Sequence, residues 1–234
     1  MTRFCLIIDD NDQSSVIETL RNKGKEQGLE INCHFFNPSE YNEEKVFKTE
    51  DGQEEVEIVI DIGEFEKEFQ KHFHRQHFDL IAFDYNLDDR ETTGVDLIRK
   101  LRQIRKNTIF LLYSGTLDWI VRDIVRLHNE NPNGKLLQRR IKSLVNSNIT
   151  SLVKREDYDD EIIRQLRNPL TPQAIIEKKL LEYPDLIFKS TYPLFENLTL
   201  EEITTEISGN SLKGEEFLDA IIELTIAHLI ELNK

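Results

Sequence analysis

Three carboxylic acids, a hydroxyl and an ammonium close four short apolar runs in this 234-residue chain. Asp9 and Asp10 follow Phe4-Cys5-Leu6-Ile7-Ile8, and Asp84 follows Leu80-Ile81-Ala82-Phe83. Ser114 follows Ile109-Phe110-Leu111-Leu112-Tyr113, and Lys154 follows Ile149-Thr150-Ser151-Leu152-Val153. Runs of this length and composition read as strands of a parallel sheet buried on both faces. Parallel strands end along one edge, and ligands bind in the crevice outside that edge. The five side chains would therefore converge. Carboxylates are oxygen ligands for a divalent cation. A lysine ammonium and a serine hydroxyl suit the oxygens of a phosphoryl group.

The elements between these runs fit such a sheet. Ser14 to Glu26 reads as a helix, with Val16, Ile17 and Leu20 at helical spacing. Residues 31–36 read as a second strand. A polar stretch follows, and then Val56 to Asp61, whose alternation suggests an extra strand or hairpin arm. Glu64 to His77 is amphipathic, with Phe65, Phe69 and Phe73 four apart. Helices are expected over Val95–Arg105, Leu117–His128, Lys135–Val145 and Tyr158–Leu166. Asn129 to Gly134 is a loop signal. Strands that alternate with helices predict an α/β fold.

Four motifs in this order resemble the receiver domain of two-component response regulators, a CheY-like flavodoxin-type fold. The resemblance covers about residues 1–167. The acidic pair is Asp9-Asp10 in LIIDDND, and the phospho-acceptor motif is Asp84-Tyr85-Asn86-Leu87, followed by Gly94-Val95-Asp96-Leu97-Ile98. The hydroxyl is Ser114 in LLYSGT, and the lysine is Lys154 in SLVKRED. The resemblance implies a doubly wound, five-stranded parallel sheet with an insertion hairpin and a C-terminal α-helical extension. It implies Asp84 as the phospho-acceptor, with Ser114 and Lys154 on the phosphoryl group. It also implies Mg²⁺ held by Asp9, Asp10, Asp84 and the backbone carbonyl of Asn86, and Lys154 paired with Asp84 before phosphate arrives. Spacing points to two insertions, about residues 38–61 and 129–147, in a receiver-like domain over 1–168. Residues 169–234 form the extension. The chain departs from the family after the lysine, where Arg155 stands in place of proline. It departs again three residues before the lysine, where Ser151 stands in place of an aromatic. The acceptor is followed by Leu87-Asp88-Asp89-Arg90 without a proline.

The net charge of −14 opposes a partner bound through phosphates, such as a nucleic acid. From residue 166 onward there are six basic and twelve acidic side chains, the wrong sign for a DNA-binding output module. Cys5 and Cys33 sit in apolar runs and read as buried thiols of a cytoplasmic protein. The first apolar run is too short for a signal peptide, and no apolar stretch is long enough to span a membrane. Thr171-Pro172 opens a helix expected to reach about Tyr183. Thr199-Leu200-Glu201-Glu202 fits a capping box for a helix ending near Ile207. Ser208 to Gly214 reads as a loop, and Glu215 to Leu232 as the last helix. Eleven of the sixteen residues from Phe217 to Leu232 are apolar. Such a helix needs cover on more than one face, in a bundle or from a second copy of the chain.

These observations predict a phosphorylation-controlled signalling protein. Its partners would be a histidine kinase or phosphotransfer protein and a protein effector, with no action as a separate enzyme. Two alternatives remain. One is a degenerate receiver used as a constitutive interaction module. The other is a Mg²⁺-dependent phosphatase, which would want a second acid where Asn86 stands. A cluster of His72, His74 and His77, and a basic face including Arg122, Arg126, Arg139 and Arg140, read as solvated helix surface.

Overall fold

The computed structural model describes residues 2–48, 52–89, 92–118, 120, 135–189 and 195–233. They divide into two compact units. The first comprises residues 1–74, 78–102 and 108–169, and the second residues 75–77, 103–107 and 170–234.

The first unit is a five-stranded, wholly parallel sheet. In chain order its elements are β1 (Thr2–Ile8), α1 (Ser14–Glu26), β2 (Glu30–Phe36), β3 (Asn42–Lys48), β4 (Glu54–Ile60), α2 (Ile62–Phe73) and β5 (Leu80–Asp84). They continue with α3 (Gly94–Arg102), β6 (Ile109–Ser114), α4 (Lys135–Asn146), β7 (Ser151–Lys154) and α5 (Tyr158–Leu166). The sheet order is β2-β1-β5-β6-β7, with β3 and β4 apart as an antiparallel pair. With that hairpin set aside, this is the 2-1-3-4-5 order of the flavodoxin/CheY-like fold, whose switch point falls between β1 and β5. The expected fold class is therefore the one found.

The apolar runs form strands because both sheet faces are covered. Cys5 to Ile8, Leu80 to Phe83 and Phe110 to Tyr113 are fully buried. On one face Cys5, Ile7, Cys33, Leu80, Ala82, Leu111 and Tyr113 pack against Leu20 of α1 and Ile162, Ile163 and Leu166 of α5. The alternate residues face α2 and α3, as the period of two requires. There Phe65, Phe69 and Phe73 of α2 close around Phe36 of β2, with ring centroids 5.5–6.1 Å apart. Cys5 and Cys33 are register neighbours on β1 and β2, both buried as free thiols. The start of β1 is pinned by a buried ion pair. Arg3 Nη1 lies 3.4 Å from Asp79 Oδ1, Asp79 Oδ2 accepts from Phe4 N at 2.7 Å, and Arg3 Nη2 donates to Asn168 O at 2.6 Å.

The first insertion is the β3–β4 hairpin, between β2 and α2. Its cross-strand pair Val46 and Val56 and its neighbour Ile58 are exposed. Several element ends differ from expectation. The α2 helix stops at Phe73 rather than His77, and α3 at Arg102 rather than Arg105. The strand expected over 149–153 runs from Ser151 to Lys154. Of the expected 117–128 helix only Leu117, Asp118 and Ile120 are described. Arg122, Arg126 and the 129–134 loop lie outside the described residues, as do the side chains of Arg139 and Arg140.

The second unit contains α6 (Pro172–Leu180), α7 (Leu200–Ser208) and α8 (Leu212–Leu232). Thr171 caps α6 by accepting from Ala174 N, and Thr199 and Glu202 form the expected capping box of α7. Its core is small: Phe195, Leu200, Ile203, Ile207 and Phe217, with Ile176, Leu180, Phe188 and Leu198 partly buried against them. The last helix starts three residues before the expected Glu215, because Ser211 caps it by accepting from Gly214 N at 3.0 Å. No helix among the described residues is long and apolar enough to cross a membrane.

Candidate functional site

The parallel register brings the acidic strand ends together. Ile8 pairs with Phe83, so Asp9 and Asp84 leave adjacent strands at the same level. A ligand oxygen from each of Asp9, Asp10 and Asp84 lies within 4.8 Å of the others. That is within the reach of one oxygen-coordinated divalent cation, whose opposite ligands lie ~4–5 Å apart.

The three acids are held differently. Asp9 is fully buried and spends both oxygens on the protein. Its Oδ1 accepts from Asn11 N at 2.8 Å, and its Oδ2 accepts from Gln13 Nε2 at 2.8 Å and Tyr113 Oη at 2.6 Å. Tyr158 stacks on Tyr113 with centroids 4.2 Å apart and donates its hydroxyl to Gln13 Oε1. Asp9 is thus the anchor of a buried polar network. Burial and the Asp9 carboxylate hold the Tyr113 hydroxyl well above its ordinary pKa, so it stays a donor. Asp10 is half-buried. Asn11 Nδ2 donates to its Oδ1 at 2.6 Å, and Asp88 N donates to its Oδ2. Burial raises its pKa, with the Asp88 amide pulling the other way.

Asp84 differs again. Its Oδ1 is buried with no hydrogen-bond partner among the described residues. A buried carboxylate oxygen without a donor is costly, and here it belongs to the acidic trio. An oxygen-seeking cation would satisfy it. Burial pushes the Asp84 carboxyl up to about 7, against the pull of Arg155 and with a further push from Asp9. The trio, with that open oxygen, fits a divalent cation.

The other Asp84 oxygen corrects the sequence reading. Its Oδ2 accepts a hydrogen bond from Arg155 Nη2, and the same nitrogen lies 3.4 Å from Asp9 Oδ2. Lys154 pairs instead with Glu156 at 3.3 Å, about half exposed. The cause is a turn. Arg155 N donates to Ser114 O at 2.7 Å, and Asp157 N to Lys154 O at 3.0 Å. Residues 154–157 therefore close a β-turn at the end of β7, and Arg155 is the residue swung over the strand ends. Its guanidinium carbon is 5.5 Å from the Tyr113 ring centroid. Burial opposes its charge, but Asp84 and Asp9 keep it protonated.

Ser114 is buried at the end of β6, where its hydroxyl donates to Thr116 O at 3.0 Å. Asn86 is exposed and lines, with Asp10, Asn11, Leu87, Asp88 and Asp89, an open groove of ≈ 1080 Å³. Glu57 and Ile58 of β4 line it too. The residues after Asp84 are tied to their neighbours by hydrogen bonds. The Asp88 backbone N–H donates to Asp10 Oδ2, and the Asp89 carboxylate accepts from Thr92 N at 2.6 Å and from Ile60 N at the end of β4. The hairpin thus braces the loop after Asp84. Gly94 must be glycine for a steric reason: a Cβ there would lie 2.0 Å from Asp84 O. Sequence reasoning missed Arg155, Tyr113 and Gln13. Tyr113 was legible as the last apolar residue before Ser114, but nothing in its spacing signals a bond to Asp9.

No protein-family model and no curated protein matches the chain. Solved structures do resemble it. A CheY-like response regulator receiver domain protein from Methanospirillum hungatei JF-1 is 13% identical, with a TM-score of 0.37 over 71% of this chain and 94% of the other. A response regulator receiver domain from Clostridium thermocellum is 14% identical, with a TM-score of 0.37 over 76% and 98%. A response regulator from Burkholderia pseudomallei, solved with a phosphorylated aspartic acid, a calcium ion and citrate, is 15% identical, with a TM-score of 0.37 over 80% and 77%.

Proposed function

We propose that this chain is a phosphorylation-controlled signalling protein in which Asp84 accepts a phosphoryl group from a histidine kinase or phosphotransfer protein. The observation that carries the proposal is the acidic trio with its one open, buried oxygen on Asp84. Asp84, Asp10 and the Asn86 carbonyl would hold Mg²⁺, with Asp9 fixing their positions from behind. Bound Mg²⁺ supplies charge neutralisation for the transferring phosphoryl group. The chain's own residues do the rest. Asp84 is the nucleophile, and Ser114 turns its hydroxyl from Thr116 O towards a phosphoryl oxygen. The chain is the acceptor of the group, not an enzyme acting on a separate substrate. Residues 1–168 form the receiver-like domain, and 169–234 a helical extension through which two copies pair. Output is by protein–protein contact in the cytoplasm, without nucleic acid.

Acetyl phosphate with Mg²⁺ tests this. Intact-mass measurement should show one added phosphoryl group, absent in Asp84→Asn. An adduct that persists in Asp84→Asn shows that another residue is the nucleophile. Phosphate release far beyond one equivalent points to a phosphatase. One observation favours the constitutive-module reading: Arg155 already neutralises Asp84. Complete failure to label would select that reading.

A further inference from the structure

The two oxygens of Asp84 face different fates. Oδ1 is buried among the acids that would ligate a cation, and Oδ2 carries Arg155. Oδ2 is therefore the oxygen left to attack phosphorus, and its lone pair is engaged. The Arg155 side chain that engages it is 39% exposed. The neighbouring ammonium of Lys154 is turned away to Glu156.

We infer that Arg155, not Lys154, is the cation that receives the transferred phosphoryl group, and that it must release Asp84 Oδ2 before transfer. The inference rests on the phospho-acceptor reading above. In the transfer the Oδ2–P bond forms as the donor's P–N bond (phosphohistidine) or P–O bond (acetyl phosphate) breaks. The bonding pair leaves on the imidazole, which takes a proton from water, or on acetate. Asp84 then carries an acyl phosphate. A planar guanidinium with five donors grips two phosphoryl oxygens at once, whereas an ammonium acts as a point charge. Arg155 thus exchanges a carboxylate oxygen for phosphoryl oxygens. It sits in the 154–157 turn that leads directly into α5, so the exchange pulls on the N-terminus of that helix. Before transfer the same residue competes with a metal for the acids, because its positive charge lies between Asp9 and Asp84.

Four versions of the 234-residue chain decide the matter: wild type, Lys154→Ala, Arg155→Gln and Arg155→Lys. Each is titrated with Mg²⁺ alone by calorimetry, then labelled with acetyl phosphate and followed by intact mass. Lys154→Ala should match wild type in both. Arg155→Gln should bind Mg²⁺ several-fold more tightly, yet label more slowly by about tenfold or more, as expected on losing a donor aimed at developing charge. Arg155→Lys should recover part of the labelling rate. A tighter Mg²⁺ site also shows that Arg155→Gln is folded. Slower labelling in Lys154→Ala than in Arg155→Gln overturns the inference, as does a Lys variant no better than Gln. Failure of wild type to label removes the acceptor reading itself, and the assignment of Arg155 with it.

Discussion

The strands that carry the acidic cluster and the last three turns of α8 are made of the same kinds of side chain. Leu80, Ile81, Ala82 and Phe83 of β5 have no exposed surface. Ile222, Leu224, Ile226, Leu229, Ile230 and Leu232 of α8 are each 43–68% exposed. The difference lies in what surrounds them. A central strand of a doubly wound sheet has a strand on either side and a helical layer on each face, so every residue finds cover. The apolar residues of α8 fall all around the helix, and among the described residues the small core of its own unit reaches to Phe217 and its partly buried neighbours Leu218 and Ile221. A helix that is apolar all round belongs in an interior. The strands that carry the acidic cluster are covered, and the end of α8 is exposed.

The largest effect is expected where that contrast is sharpest. Replacing Ile222, Ile226 and Leu229 together by lysine removes three exposed apolar side chains. If each contributes ~1.5–3 kcal/mol when covered by a second copy, the dimer should weaken by about a thousandfold or more. Sedimentation equilibrium would show a dimer for wild type and a monomer for the variant. Thermal stability should fall with the loss of the dimer at high protein concentration and be nearly unchanged at concentrations where wild type is itself monomeric, because these side chains bury little within their own unit. Two copies at −14 each repel, so added salt should tighten the wild-type dimer by screening. A wild type that is monomeric at every salt concentration ends the second-copy reading.

At the opposite end of the covered sheet, the buried pair at the start of β1 should dominate stability. Arg3→Ala leaves Asp79 buried beside the Phe4 amide without its cation. Breaking a buried pair from one side costs about 3–5 kcal/mol. The exposed Lys67–Glu64 pair on α2 is the control. Lys67→Ala should shift a urea midpoint hardly at all. Equal shifts for both variants would mean that the Arg3 pair is not the anchor its burial suggests.

Most of the fold was legible because three strands announce themselves twice, by an apolar run and by the polar residue that ends it. The hairpin was legible from the alternation of Val56, Ile58 and Ile60. What failed was the last strand. Ile149 to Val153 reads as a buried run, yet Leu152 is 44% exposed and the strand starts two residues later. In a strand each one-residue step reverses the face a side chain occupies, and a turn follows at once. Lys154 and Arg155 are both basic, so composition does not say which of them faces Asp84. Only the hydrogen bonds from Arg155 N to Ser114 O and from Asp157 N to Lys154 O settle it. The start of α8 was missed for a smaller reason. Gly214 looks like a breaker, but it is the third helical residue behind the Ser211 cap.

A methyl group tests how tightly the loop after Asp84 is built. Gly94→Ala puts a Cβ against Asp84 O, and backbone rather than a flexible side chain must move. Overpacking of this kind costs about 1–3 kcal/mol. It should also displace Asp84, so Mg²⁺ affinity and labelling by acetyl phosphate should both fall. Alanine at Gly115, where a Cβ meets nothing within 4 Å, should leave stability nearly unchanged. A Gly94→Ala protein with wild-type Mg²⁺ affinity would show that the loop yields without moving the acid.

The smallest predicted effect concerns the strand that presents Arg155, and it is read in acid. Glu161 of α5 accepts from Ser151 Oγ at 2.5 Å and Gln165 Nε2 at 2.9 Å, and two Arg164 nitrogens donate to it at 2.6 Å. Arg164, against the pull of burial and with help from Ser151 and Gln165, lowers its pKa to about 2. An unfolded glutamate titrates near ~4.3. A group depressed on folding contributes stability that is complete above the unfolded value and lost as pH falls through the folded one. The window is therefore about pH 5 down to 2. The full shift would correspond to ~3 kcal/mol, but Arg164 is 65% exposed, and solvent screening reduces the expected contribution to ~1–2 kcal/mol. Glu161→Gln should be less stable than wild type at pH 7 by about this amount, and the two should converge as pH drops to 2. Ser151→Ala should keep most of the acid dependence, since it leaves the Arg164 bonds in place. If Glu161→Gln loses stability in acid as steeply as wild type, Glu161 does not carry the link between β7 and α5, and the position of the Arg155 turn is fixed from the Ser114 side alone.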